Sequence, residues 1–333
     1  MTGLLSRDLL TRNETLVALV ILAFCIVATL SDPNFFSVTT LSDLLRASIV
    51  LGILAVAATL VLISGGIDVS FTAVAVSAMY MTTVFTLAVW PEMPWPLIFL
   101  IPIGIGAVLG AVNGIFIAGF GLPTLIVTLG TLSVFRGFLL TFVGSQRISD
   151  LPPEMRDFSR LMIARGTTEG GSFYALPWAF AGLVLAVGLT WFILHRTMLG
   201  RSIYAIGGSA ESARRIGINV RRTQFFVYVY VGALAGLAGI IHASMSRMAD
   251  PFSLVGQELS VIAAVVLGGA RLIGGYGTLT GALLGVALIV LVQNSLIVIG
   301  IPSTWQSVAI GLLILIGTGV PAWQAKRAAA RAA

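Results

Sequence analysis

Residues 47–64 read ASIVLGILAVAATLVLIS, an apolar run without a single charge. A helix needs about 20 predominantly apolar residues to cross a bilayer, so this run predicts a membrane-spanning helix. The whole chain shares its character, because 58% of its 333 residues are apolar and only 10% are charged. In soluble domains roughly a quarter of the residues are charged. The composition therefore predicts a polytopic membrane protein and excludes a large catalytic domain outside the membrane.

Further apolar runs follow one another along the chain, separated by short polar connections. Together with the first run they predict an all-α, polytopic integral membrane protein with about ten transmembrane helices. These runs lie at 15–31, 47–64, 67–90, 96–119, 123–143, 175–195, 223–245, 259–272, 276–299 and 303–321.

The positions of lysine and arginine predict the orientation of the chain. With ten spans, the tails at 1–14 and 322–333 and the arginine-rich connection at 196–222 fall on one side of the membrane. The positive-inside rule assigns that side to the cytoplasm, so both termini are expected there. The connection at 144–174 is then external, and residues 15–321 form the transmembrane domain.

Several kinds of chemistry lack the residues they need. A P-loop requires a lysine that reaches the terminal phosphates, and Lys326, in a QAKR context, is the only lysine. One cysteine, Cys25, and two distant histidines, His195 and His242, predict neither a metal site nor a catalytic one. The basic residues adjoin apolar runs, which favours membrane topology over nucleic-acid binding. We expect no enzyme activity and no cofactor in this chain.

Glycines recur every four residues in two of the predicted spans. Residues 106–114 contain two successive G-x-x-x-G steps, and residues 277–285 contain two more. Such spacing lets two helix backbones approach closely in lipid. The partner helix belongs either to the same chain or to a second copy, and the sequence leaves both possibilities open.

Two apolar runs are interrupted in a matching way. GGIDVS at 65–70 and GGARLIGG at 268–275 each combine paired glycines with a charge. Irregular backbone at membrane depth occurs where it is buried in protein or faces a water-filled path, and paired interruptions indicate a transport route. A plain turn at the cytoplasmic end of each span is the competing interpretation. On the first interpretation Gly65, Gly66 and Ser70 border the path.

Polar groups inside spans are costly and tend to be functional. Asp68 and Glu258 each stand where a span begins, so capping of a helix N-terminus is an equally good explanation for them. Gln293 and Asn294 are adjacent and cannot face the same direction on a helix. The candidates for the translocation path are Asp68, Asn113, Arg136, Glu258, Gln293 and Asn294.

The 196–222 connection contains a predicted short helix over Ser209–Ile216. Ser209 is a good N-cap residue with Glu211 in the first turn, and Gly217 is a typical C-terminal stop. A loop that only marks the cytoplasmic side needs no ordered, capped helix. We therefore expect a docking element that presents Arg214 and Arg215 to the cytosol.

Several collinear motifs resemble one family, the permease subunits of ribose-type ATP-binding-cassette (ABC) importers. The resemblance covers roughly residues 45–320, and its most specific motifs are SGGIDVS at 64–70, GLPTLIVTLGT at 121–131 and AAVVLGG at 263–269. It implies a bacterial inner-membrane permease that pairs with a second permease copy. It also implies an external, periplasmic solute-binding protein that delivers a sugar-like solute, and a cytoplasmic ATPase that holds ATP and Mg²⁺.

The same resemblance assigns a role to the arginine-rich connection. Residues 205–217 match the family's coupling helix, which sits in a groove of the ATPase. The coupling residues implied in this way are Gly207, Gly208, Ala213, Arg214, Arg215, Ile216 and Gly217.

Two alternatives remain open at this point. A self-contained ion-coupled transporter would need a buried carboxylate, which Asp68 or Glu258 supplies. An ABC importer of nucleosides would share every motif, because the external binding protein does most of the solute selection. An intramembrane hydrolase is disfavoured by the lack of a base and nucleophile pair.

Overall fold

The computed structural model describes residues 13–31, 35–168, 171–298, 302, 304–306, 308–312, 315 and 319. The predicted N-terminal tail lies almost wholly outside these residues, and the C-terminal tail lies wholly outside them. The predicted span at 303–321 is described only in part.

Helices dominate the described residues. Two π-helical turns, Ile115–Gly119 and Leu139–Val143, extend α4 and α5. The elements in chain order are α1 Asn13–Ser31, α2 Val38–Ile63, α3 Phe71–Ala88, α4 Trp95–Gly114, α5 Thr124–Phe138, α6 Pro153–Arg160, β1 Met162–Thr167, β2 Phe173–Pro177, α7 Ala179–Arg196, α8 Met198–Gly208, α9 Ala210–Arg215, α10 Val220–Ser246, α11 Gln257–Leu267 and α12 Leu279–Val298.

Six helices in the described part of the chain are long and apolar enough to cross a membrane. They are α2, α3, α4 and α5 with their π turns, α7 and α10. Shorter apolar helices cover Glu14–Leu30, Gln257–Leu267 and Leu279–Ser295. The polytopic, helical class is thus confirmed, whereas the count of ten spans and the orientation of the termini stay predictions.

A small hairpin modifies the all-α prediction. Strands β1 and β2 pair antiparallel, with Thr167 opposite Phe173 and Met162 opposite Pro177. The predicted span at 175–195 is therefore wrong at its start, because residues up to Pro177 belong to the strand and α7 begins at Ala179. The sequence pattern does not separate the hairpin from the span, because the Tyr174–Leu176 segment of β2 is itself apolar.

Helix α2 forms the centre of the molecule. Its residues from Leu51 to Ile63 are all buried, enclosed by α7, α10, α11 and α12. A helix surrounded by protein has no polar face, which explains why the apolar run at 47–64 is uninterrupted.

Helix α10 packs closely against α4 through glycines. A Cβ atom on Gly106 would overlap the Gly232 carbonyl, and one on Gly236 would overlap the Pro102 carbonyl. Near α12, Gly281 meets Gly268 in the same manner. The predicted close helix contacts are confirmed, and their partner helices lie within the same chain.

Candidate functional site

The first interruption, at 64–70, is a turn followed by a segment without regular secondary structure, and all its residues except Gly65 and Ile67 are buried. Gly65 adopts a φ of +84°, and Gly66 N donates to the Val61 carbonyl at 3.0 Å. This geometry ends α2 in the manner common at helix C-termini, where glycine takes the left-handed conformation without strain.

Asp68 lies just before α3 and holds the residue that precedes the helix. Its Oδ1 accepts hydrogen bonds from both the backbone N and the Oγ of Ser70, each at 2.7 Å. Asn113, at the end of α4, donates from Nδ2 to Ser70 Oγ at 2.8 Å. All three residues are buried. The structure therefore brings Asp68, Ser70 and Asn113 together, with the Asp68 carboxylate bonded to Ser70, the residue that precedes α3.

Helices α5 and α10 hold the same segment from the other side. Thr124 Oγ1 accepts from Ile67 N at 3.0 Å, and Thr128 Oγ1 donates to the Ile67 carbonyl at 3.3 Å. The Tyr228 hydroxyl of α10 is buried beside Gly66 and close to Thr124. Sequence reasoning assigned no role to these three side chains; the four-residue spacing of the threonines in the GLPTLIVT motif was the available signal.

The second interruption, at 268–275, forms a tight glycine-rich loop. Gly269, Gly274 and Gly275 have φ values of +100°, +88° and +74°. Arg271 stacks on the Tyr276 ring, with its guanidinium carbon 5.2 Å from the ring centroid. The arginine is exposed, so its charge lies on the surface.

Both interruptions meet at the end of α8. Gly275 N donates to the Ile63 carbonyl at 2.9 Å. A Cβ on Gly207 would overlap that carbonyl and lie 2.5 Å from Gly275 N, and a Cβ on Gly274 would lie 2.6 Å from Gly65 Cα. Backbone thus packs directly on backbone, and we call Gly65, Gly207, Gly274 and Gly275 the glycine junction.

A tyrosine adds a polar contact beside the glycine junction. The Tyr204 hydroxyl of α8 donates to the Gly277 carbonyl at 2.9 Å. Burial raises the pKa of the Tyr204 phenol, and the nearby Tyr276 raises it further. The hydroxyl therefore keeps its proton at neutral pH, and the contact persists there.

The predicted short helix in the arginine-rich connection is confirmed as α9. Ser209 Oγ accepts from Ser212 N at 3.2 Å, and Gly217, with a φ of +86°, ends the helix. Ala213 is buried in a small cluster with Ile206 and Val220. The opposite side exposes a basic and apolar surface formed by Arg214, Arg215 and Ile216.

Arg136 and Glu258 line one narrow cavity. Thr72, in the first turn of α3, donates to Glu258 Oε1 at 2.7 Å. Across the described part of the chain, the Arg136 guanidinium forms no ion pair. The structure thus places two of the predicted path residues, Arg136 and Glu258, at the same cavity.

Gln293 and Asn294 lie elsewhere. The Asn294 side chain donates to the carbonyl of Val290 in its own helix at 2.9 Å. Gln293 lines a separate cavity of about 360 Å³ together with Arg46 and His242. The two amides point apart, as predicted, and they join neither the Asp68 group nor the Glu258 cavity.

Comparison with known proteins gives consistent matches over most of the chain. Residues 40–317 match the family described as branched-chain amino acid transport system / permease component. The autoinducer 2 import system permease protein of Enterobacter sp. (strain 638) is 33% identical over 309 residues, covering 93% of this chain and 86% of that protein. The ribose import permease protein of Escherichia coli (strain K12) is 34% identical over 312 residues, covering 92% of each chain.

No solved structure gives a significant match. The family match and both relatives nevertheless extend over the interruptions, α8, α9 and the close-packed helices described above. The chain therefore belongs to the family of branched-chain amino acid transport system permease components, and it is similar to ribose and autoinducer 2 import permeases.

Proposed function

We propose that this chain is the permease subunit of an ABC importer and forms the path for a sugar-like solute. The observation that carries the proposal is the glycine junction, where the arginine-rich connection touches both helix interruptions. Similarity to ribose and autoinducer 2 import permeases supports the solute class. A separate cytoplasmic ATPase drives the transport, as similarity to import permeases supports; the chain itself carries no P-loop lysine.

The ATPase docks on α9. Arg214, Arg215 and Ile216 project from a helix whose other side is anchored by Ala213. A short helix with a fixed base and an exposed basic and apolar face suits a groove on a partner protein. ATP binding changes the shape of that groove, and differential contact with its two states moves α9.

Movement of α9 and α8 reaches the path through the glycine junction. No side chain separates Gly207 from Ile63 or from Gly275. Packed backbone does not deform continuously, so a shift of α8 displaces the end of α2 and the 268–275 loop together. Asp68, Ser70 and Asn113 move with the start of α3 and open or close the route.

Two copies of the permease, identical or similar, enclose the route in the bacterial inner membrane. Both termini and α9 face the cytoplasm, and ten spans cross the bilayer. An external binding protein delivers the solute to the opposite face, which carries α6 and the β1–β2 hairpin.

Co-purification with the partner ATPase tests the docking step. Arg214→Glu with Arg215→Glu reverses two charges on α9, and we expect at least a tenfold loss of ATPase recovered with the tagged permease. The control, Arg160→Glu with Arg165→Glu, reverses two exposed charges on the opposite face. Equal ATPase recovery with the α9 variant and the control would contradict the docking assignment.

A further inference from the structure

A groove lies where the π-helical turn after α4 meets the start of α10. It has a volume of about 300 Å³, and its lining includes Gly114, Ala118, Gly119, Arg221, Arg222 and Phe225. None of these residues belongs to the glycine junction, to α9 or to the Asp68 group.

A π-helical turn and small wall residues leave this groove unfilled. The π turn at Ile115–Gly119 widens the helix, with Phe120 N donating to the Ile115 carbonyl five residues back at 3.3 Å. Glycine and alanine there leave the wall bare, and a Cβ on Gly119 would meet no atom within 4 Å. Phe225 is 39% exposed and provides an apolar floor.

The charge at the groove is strongly positive. Arg221 and Arg222 are both exposed, and neither forms an ion pair within the residues that the structure describes. Both stand in the first turn of α10, where the helix dipole disfavours cations. An anion bound at this position would offset both the mutual repulsion of the arginines and their conflict with the dipole.

Apolar side chains continue the surface away from the arginines. Phe116 and Phe120 pack together with ring centroids 5.9 Å apart, and they are 41% and 70% exposed, respectively. A ligand for the whole surface needs an anionic end and a long apolar end. A basic pocket between helices at a membrane surface is a known arrangement for acidic lipid headgroups.

We propose that this groove binds one anionic phospholipid. Its phosphate contacts Arg221 and Arg222, and an acyl chain runs along Phe225 and the π turn toward Phe120. The site uses no residue of α9, of the glycine junction or of the Asp68 group, so its test is separate from the test of the proposed function.

Native mass spectrometry of the detergent-solubilised full chain tests the charge requirement. We expect one tightly retained phosphatidylglycerol and much weaker retention of phosphatidylcholine. Arg221→Gln with Arg222→Gln should weaken phosphatidylglycerol binding by about fivefold for each arginine, so about 25-fold in all. The matched control, Arg196→Gln with Arg201→Gln, removes two arginines outside the groove and should leave binding unchanged.

A second pair of variants tests the shape of the groove without changing its charge. Gly119→Trp fills the open wall and should reduce phosphatidylglycerol binding at least tenfold, whereas Gly119→Ala should bind normally because its Cβ meets open space. Equal binding of both lipids, or equal binding by the arginine variant and its control, would overturn the proposal. Displacement of the lipid by glycerol 3-phosphate at equal concentration would overturn the lipid assignment in favour of a free phosphate site.

Discussion

Gly207 is the residue on which the proposed coupling route depends, because nothing larger than hydrogen fits at its Cα. An added methyl group would overlap the Ile63 carbonyl. Its neighbour Gly208 faces open space, with no heavy atom within 4 Å of a built Cβ. These adjacent glycines therefore offer a matched pair of substitutions.

Gly207→Ala should destabilise the permease by about 1–3 kcal/mol through overpacking, and thermal unfolding in detergent measures the change. Gly208→Ala should unfold within about 0.5 kcal/mol of the wild type, as surface substitutions do. Similar unfolding temperatures for the two variants would show that α8 is not packed on the helix interruptions.

Tyr204 makes a hydrogen bond beside the glycine junction, from its hydroxyl to the Gly277 carbonyl. Tyr204→Phe removes the hydrogen bond to Gly277 and should lower the free energy of unfolding by about 1 kcal/mol. Because burial raises the folded-state pKa, the contribution is fully present below the unfolded pKa of about 10 and is lost as pH rises through the folded value. The difference between variant and wild type should therefore be constant from about pH 6 to 9; a difference that shrinks in this range would contradict the contact.

At the scale of elements, substitutions of Asp68 distinguish a structural role at the start of α3 from an ion-binding role. Asp68→Asn keeps an acceptor oxygen for Ser70, whereas Asp68→Ala removes both hydrogen bonds. We expect Asp68→Ala to destabilise the protein by about 1–2 kcal/mol and Asp68→Asn to cost less than half as much. Solute uptake should survive in Asp68→Asn.

A complete loss of uptake in Asp68→Asn, with stability intact, would favour the ion-coupled alternative. Such a transporter needs the negative charge itself, whereas the structural role needs only the acceptor geometry. Measuring stability and uptake on the same reconstituted samples separates the two roles.

Elements with local signals could be predicted from the sequence. Ser209 and Gly217 mark the ends of α9 because caps and left-handed glycines act within a few residues. The G-x-x-x-G steps predicted close helix contacts but not their partners. The β1–β2 hairpin was missed, because β2 continues into the apolar residues of α7 without a polar break.

The composition of the candidate site was only partly predictable. Asp68 and Asn113 are 45 positions apart in the sequence, and their shared contact with Ser70 arises from packing of α3 against α4. The contact among Gly65, Gly207 and Gly274 likewise forms only when distant segments of the chain pack together. Each glycine is ordinary in its own segment, so no local pattern distinguishes it from a glycine in a turn.

At the scale of the whole molecule, the chain divides its polar features between two ends. One end carries α9 and the glycine junction, and the other carries α6 and the β1–β2 hairpin. At that second end, paired backbone hydrogen bonds join Ile148, before α6, to Ala249, after α10. Two polar ends joined by buried apolar helices suit a permease that communicates with a different partner on each side.

Solute uptake into proteoliposomes tests this account most directly. The vesicles contain the permease with its ATPase and binding protein, or the permease alone under an imposed proton or sodium gradient. We predict uptake of a sugar-like solute only with all three components and ATP, and its loss in the Arg214→Glu, Arg215→Glu variant. Gradient-driven uptake by the permease alone would contradict the account.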